Sequence, residues 1–192
     1  MYNFNYHCPS SLQEAESLYA KSEDPMFLAG GHTLLPTMKQ RLNAPTDLID
    51  LAGLTELAGI SREGDVLQIG AYTRHADVAA SELVQTAIPA LAKLARGIGD
   101  TQVRNRGTIG GSVANNDPAA DYPAALLGLG ATVVTTKRSV PADEFFVDMF
   151  ETVLEEGEII TAVTFPVKGD AEYIKFANPA SRYATVGVFI KR

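Results

Sequence analysis

The 192-residue sequence predicts an α+β fold in which helices come early and strands late. Two observations predict it. Apolar residues recur at helical spacing over residues 12–21 and 75–98, whereas extended apolar runs gather after residue 130. The regular βαβ alternation of a doubly wound parallel sheet is missing, which disfavours a Rossmann fold.

Ser11-Leu12-Gln13-Glu14 has the spacing of a capping box, and Leu12, Ala15, Leu18 and Tyr19 carry a first helix to about Lys21. Met26–Ala29 is a short apolar strand running into Gly30-Gly31. Thr33 is positioned to cap a second helix through Arg41, with Pro36 tolerated because its missing N–H falls in the first turn. Thr46–Leu51 predicts another strand and completes a compact N-terminal lobe. Ile60-Ser61 and Val66–Ile69 flank a hairpin turn at Gly64. The helical stretch from His75 to Ile98 is divided by Pro89. Ala131–Thr135, Ile159–Phe165, Tyr173–Phe176 and Val186–Ile190 read as extended.

Composition is that of a globular protein, 46% hydrophobic and 20% charged. A net charge of −7 argues against nucleic-acid binding through a broad basic surface. No uncharged run reaches the roughly 20 apolar residues of a membrane-spanning helix, and Met1–Phe4 is not a basic leader, so the reading is soluble and cytoplasmic. The single cysteine, Cys8, excludes an intrachain disulfide and a self-contained iron–sulfur cluster, and is expected to pack rather than react. His7, His32 and His75 are scattered without metal-ligand spacing. Glu151, Glu155, Glu156 and Glu158 read as a solvated turn.

The functional signal is a pair of glycine bends, Ala29-Gly30-Gly31-His32-Thr33-Leu34 and Gly107-Thr108-Ile109-Gly110-Gly111-Ser112, the second followed by Asn115, Asn116, Asp117 and Asp121. Gly-Gly steps let successive amides converge on an extended anion such as a dinucleotide diphosphate. Asn and Asp nearby offer acceptors for ribose hydroxyls. Taken alone, each bend is equally the mark of a tight turn, and neither matches the Gly-x-Gly-x-x-Gly or phosphate-loop pattern.

Together with Leu48–Leu51, Ile69-Gly70-Ala71, and the run from Arg104 through Ser112 to Asp117-Pro118-Ala119-Ala120-Asp121, these bends closely resemble the FAD-binding medium subunits of carbon monoxide dehydrogenase-like molybdenum hydroxylases and the xanthine dehydrogenase FAD domain. The resemblance implies a two-lobed FAD-binding fold of the vanillyl-alcohol oxidase / p-cresol methylhydroxylase type. Residues 1–55 would form the small lobe, 56–170 the larger mixed lobe, and 171–192 the start of a truncated C-terminal domain. It implies that Ala29, Gly30, Gly31, His32, Thr33 and Leu34 line one side of the FAD diphosphate and Thr108, Ile109, Gly110 and Gly111 the other. Asn115, Asp117 and Asp121 would make polar contacts to ribityl, ribose or flavin, and Ile160, Lys175 and Tyr183 would approach the isoalloxazine.

A β-branched residue at Gly31 or Gly110 is expected to abolish FAD retention by crowding the diphosphate. The implied function is electron relay from [2Fe-2S] clusters on a small partner subunit, through FAD, to an external acceptor. Primary substrate oxidation would occur at a molybdenum cofactor on a large subunit of the same hetero-oligomer. A free-standing FAD oxidoreductase related to UDP-N-acetylenolpyruvoylglucosamine reductase, and a non-catalytic assembly module, remain as alternatives.

Overall fold

The computed structural model describes residues 1–192. The chain begins with strand β1 (Asn5–His7), helix α1 (Leu12–Lys21), strand β2 (Pro25–Leu28), helix α2 (Leu34–Lys39) and strand β3 (Asp47–Asp50). The three strands form a parallel sheet in the order β1-β3-β2. Ser11 caps α1 by accepting from the Glu14 amide at 3.2 Å. The reciprocal half of the box is displaced by one residue, because the Glu14 carboxylate accepts from the Ser10 amide and hydroxyl. Thr33, expected to cap α2 through its side chain, makes no such bond and already has helical backbone angles.

Two single-turn 3-10 helices, Leu51–Gly53 and Thr55–Leu57, lead to β4 (Ile60–Glu63) and β5 (Val66–Gly70), joined through the left-handed Gly64. The predicted helix to Ile98 is three short ones: α3 (His75–Ala80), α4 (Glu82–Ala87) and α5 (Pro89–Arg96). Pro89 makes the expected break, and Ser81 makes an unforeseen one by capping α4 through the Val84 amide. There follow α6 (Thr101–Arg104), α7 (Ile109–Asn115), α8 (Tyr122–Leu129), β6 (Thr132–Thr135), β7 (Ser139–Pro141), α9 (Ala142–Phe145), β8 (Phe146–Asp148), β9 (Glu151–Thr152) and β10 (Ile160–Pro166). An antiparallel sheet in the order β4-β5-β10-β6-β7 is built around β10.

One face of that sheet carries Leu67, Ile69, Val133, Val163 and Phe165 into the main core, where they meet Val78, Leu91, Leu94, Ile109, Val113, Tyr122 and Leu126 of the helices. A smaller core under α1 joins Ala15, Ile49, Leu51, Leu54 and Leu57 to Ile159. The chain ends in the hairpin β11 (Ala171–Ala177) and β12 (Ala184–Lys191). Its inner face sets Tyr173 and Phe189 against the helices, with Phe189 lying over Gly128. Its outer face leaves Ile174, Phe176, Val186, Val188 and Ile190 exposed.

Candidate functional site

Between the parallel sheet and the helical side of the larger sheet lies a cleft of about 660 Å³. It is lined by every residue expected to approach the cofactor except Ile109 and Lys175. Ile109 is fully buried in the main core. Lys175 gives its Nζ to the Asp121 carboxylate at 3.0 Å and to the Gly97 carbonyl at 3.0 Å. The structure therefore places the Lys175 ammonium beside a cleft-lining carboxylate, where it is paired and largely buried.

The two bends touch. A Cβ on Gly30 would strike the Arg106 carbonyl and lie 2.8 Å from Gly107 Cα, and one on Gly111 would lie 3.7 Å from Ala29 Cβ. Their amides are nevertheless used differently. In the second bend the Ile109 amide donates to the Thr73 carbonyl at 3.0 Å, Gly110 to Ala71 at 2.9 Å, and Ser112 to Thr108 at 3.1 Å. The Gly111 amide donates to Thr108 Oγ1 at 3.2 Å, because Gly110-Gly111 is the first turn of α7 rather than a free loop. In the first bend none of the amides of Gly30, Gly31, His32, Thr33 and Leu34 donates to a backbone carbonyl. Gly31 is left-handed (φ 75°), which turns consecutive N–H groups toward one side. A row of unpaired amides in a partly buried cleft calls for an anionic acceptor, since such groups are otherwise costly to leave unmade.

Four cleft residues, Tyr72, His75, Ser181 and Arg182, were not among those expected at the site. His75 is 5% exposed and its Nδ1 has no partner. Burial, with smaller contributions from His32 and Arg104, pushes its pKa down to about 4. A lone histidine has no spacing to betray it. Its ring packs on Gly107, where a Cβ would lie 2.6 Å from Nε2, and its amide donates to the Gly107 carbonyl, so it supports the second bend from below. Tyr72 reaches the Ala29 carbonyl through its hydroxyl at 3.5 Å. Ser181, Arg182 and Tyr183, at the tip of the β11–β12 hairpin, close one side of the cleft. Burial and the nearby Asp117 and Asp121 raise the Tyr183 phenol.

Asp121, expected to serve the ligand, is 5% exposed and accepts from Tyr173 Oη as well as Lys175. Asp117 spends one carboxylate oxygen on the Ala119 amide at 2.8 Å. Asn116 sits behind the cleft at the left-handed end of α7 and donates its amide to the Asp148 and Glu151 carbonyls at 2.8 and 2.9 Å, holding the β8–β9 turn. Two expectations are corrected. Cys8 is exposed, and Glu158 does not belong to a solvated turn. Its side chain is fully buried, lines the cleft, and accepts from Thr135, Arg138 and the Glu155 amide. Burial pushes the Glu158 carboxyl up, but these hydrogen bonds outweigh it and hold the group below its ordinary range.

A two-lobed α+β domain whose cleft offers a free amide row against a glycine-opened helix start is a nucleotide-cofactor-binding module of the flavoprotein kind. Residues 2–168 match the family model described as the FAD binding domain in molybdopterin dehydrogenase, and the chain belongs to that family. It binds FAD. It is 41% identical to the carbon monoxide dehydrogenase medium chain of Hydrogenophaga pseudoflava, with 96% of this chain and 67% of that one covered. A solved structure of that dehydrogenase superposes with a TM-score of 0.92. The glyceraldehyde dehydrogenase medium chain of Sulfolobus acidocaldarius is 37% identical, covering 96% of this chain and 68% of its own. The chain thus spans about two thirds of the length of these relatives. The UDP-N-acetylenolpyruvylglucosamine reductase of Thermus caldophilus, at 18% identity and a TM-score of 0.52 over 86% of this chain and 56% of its own, shares the fold alone.

Proposed function

We propose that this chain is the FAD-carrying medium subunit of a cytoplasmic molybdenum hydroxylase. In this reading it accepts electrons from [2Fe-2S] clusters on a small partner subunit and delivers them to an external acceptor, while a large subunit holds the molybdenum cofactor. The observation that carries the reading is the run of unpaired amides from Gly30 to Leu34, facing the start of α7 across one cleft. The supporting likenesses are to proteins named as medium chains of dehydrogenases.

Bound FAD would supply the redox chemistry, taking up and releasing electrons singly or in pairs. The protein's part is to hold it. The amides of Gly30, Gly31, His32 and Thr33 would donate to the diphosphate. Thr108, Gly110 and Gly111 would admit it closely without donating the amides already used by Ala71 and Thr108. Asn115 and Asp117 would meet the sugar hydroxyls. Ile160 and Tyr183 would shape the ring's surroundings, and Lys175 would act on them through Asp121, whose carboxylate it holds in place. No helix is long and apolar enough to cross a membrane.

Purification from the native host tests this reading by three measurements: flavin absorbance, mass spectrometry of the released small molecule, and the identity of co-purifying chains. FAD together with molybdenum-cofactor and iron–sulfur subunits is the expected result. A protein that binds FAD but never associates with such subunits overturns the relay role.

A further inference from the structure

Residues 154–160 form a wall of the cleft through Leu154, Glu158, Ile159 and Ile160. This wall straddles both cores. Ile159, 3% exposed, packs with Leu51, Leu54 and Leu57 under α1, whereas Ile160, 6% exposed, belongs to the main core beside Val163. Adjacent residues facing different cores fix where the two halves of the molecule meet, and any rotation of the segment would shift both. Within the segment, Leu154 donates its amide to Thr152 Oγ1 at 3.4 Å, Glu155 to Glu158 Oε2 at 2.8 Å, Glu158 to the Glu155 carbonyl at 3.0 Å and Ile159 to Thr136 Oγ1 at 3.4 Å, so three of the four bonds run to side chains.

What holds the segment from behind is a side-chain clamp. Arg138, just before β7 and absent from the cleft lining, donates Nε to Glu158 Oε1 at 3.2 Å, Nη2 to Oε2 at 3.1 Å, and Nη2 to the Val153 carbonyl at 2.6 Å. Thr135 Oγ1 completes the shell at 2.6 Å. Glu155, half exposed, is the other acidic group near the guanidinium, at 3.7 Å, and it also pairs with Lys137 at 3.0 Å. A bidentate guanidinium–carboxylate pair fixes orientation as well as distance, which a single-point ammonium cannot do.

We propose that Arg138, which does not touch the cleft, is a positioning residue for it: its grip on Glu158 and Val153 sets the Leu154–Ile160 wall and thereby governs how long FAD stays bound. This rests on the cleft being the FAD site. Breaking the clamp leaves a buried carboxylate short of donors, and the segment moves toward water to recover them.

The test is the FAD dissociation rate of the 192-residue chain at 25 °C, followed by recovery of flavin fluorescence on dilution, together with the visible circular dichroism of the bound flavin and the melting temperature. Arg138→Gln is expected to release FAD about ten-fold faster and to alter the flavin dichroism. Arg138→Lys, which keeps charge but not the bidentate geometry, falls between it and wild type, as does Thr135→Val. Val84→Ala, a cavity variant in the core of α4 away from the cleft, supplies a control that lowers the melting temperature without touching the wall. Should Arg138→Gln fail to fold, Arg138→Lys and Thr135→Val decide the matter alone. Dissociation rates and dichroism equal to wild type in the folded variants, or changed no more than in Val84→Ala, overturn the proposal while leaving the FAD site intact. A wild-type chain that binds no FAD overturns the underlying reading instead.

Discussion

Gly30 and Gly107 meet backbone to backbone, so closely that a Cβ on residue 30 would lie 2.8 Å from Gly107 Cα and collide with the Arg106 carbonyl. Neither partner has a rotamer that can yield. Gly30→Ala is therefore expected to lower FAD content and melting temperature together, whereas Gly111→Ala, whose Cβ would meet Thr108 Oγ1 at 3.0 Å and Ala29 Cβ at an ordinary 3.7 Å, should leave the fold in place. Flavin content per chain and thermal unfolding of the two variants check this. Gly110→Val differs from both: its Cβ would meet Ala71 Cβ at 2.6 Å, so it should prevent folding rather than simply release the cofactor. The crowding at that position comes from the protein, not from the diphosphate.

The two bends and most strands were legible because glycine pairs and alternating apolar runs are local signals. Strands β5, β6 and β10 follow the predicted segments within a residue or two, and the resemblance carried by the bends is matched by the family assignment. What the sequence concealed was non-local. That Gly110-Gly111 starts a helix depends on Ala71 and Thr73, just past the end of β5, accepting the amides of Gly110 and Ile109. That Glu158 is buried depends on Arg138, twenty residues earlier by position but adjacent through the β6–β10 pairing. Helix α8, with Gly128 inside it and Pro123 near its start, has no amphipathic stripe because Tyr122, Ala125, Leu126 and Leu129 are buried on one side while β12 covers another.

His75 gives the protein an acid-side weakness. Its pKa falls from 6.5 to about 4 on folding, so the folded state binds fewer protons than the unfolded one between those values. Stability is then fully present above pH 6.5 and declines as pH falls toward 4, by on the order of 3 kcal/mol for this group. Urea unfolding midpoints measured from pH 7.5 down to pH 4, limits of about that range, should show a steeper decline in wild type than in His75→Gln. Parallel slopes in the two proteins would remove His75 as the cause.

Asp121 and Lys175 form a buried ion pair at the junction of α8 and β11, with side chains 4% and 9% exposed. Asp121→Asn leaves the Lys175 ammonium without its counter-charge and is expected to destabilise the protein by about 3–5 kcal/mol. The double variant Asp121→Leu, Lys175→Met should recover much of that loss, because it leaves no unpaired charge behind. A double-mutant cycle in chemical unfolding measures the coupling; additive losses would mean that the pair is not the link between hairpin and helix.

Asn116 combines a left-handed backbone (φ 42°) with two side-chain bonds to the β8–β9 turn. Asn116→Gly loses the bonds and keeps the backbone relaxed, while Asn116→Ala loses both. The alanine variant should be the less stable by about 1–2 kcal/mol. Equal losses on equilibrium unfolding would assign the whole effect to the turn's hydrogen bonds.

The division of labour between the bends is tested most directly by residue-resolved amide hydrogen exchange of the chain with and without FAD. The amides of Gly30 to Leu34, unpaired to any backbone carbonyl, should exchange freely in the apoprotein and become protected when FAD binds. Those of Ile109 and Gly110, already bonded to Thr73 and Ala71, should be protected in both. Free exchange at residues 30–34 in the FAD-loaded protein, or protection gained only at residues 109–111, would contradict the account.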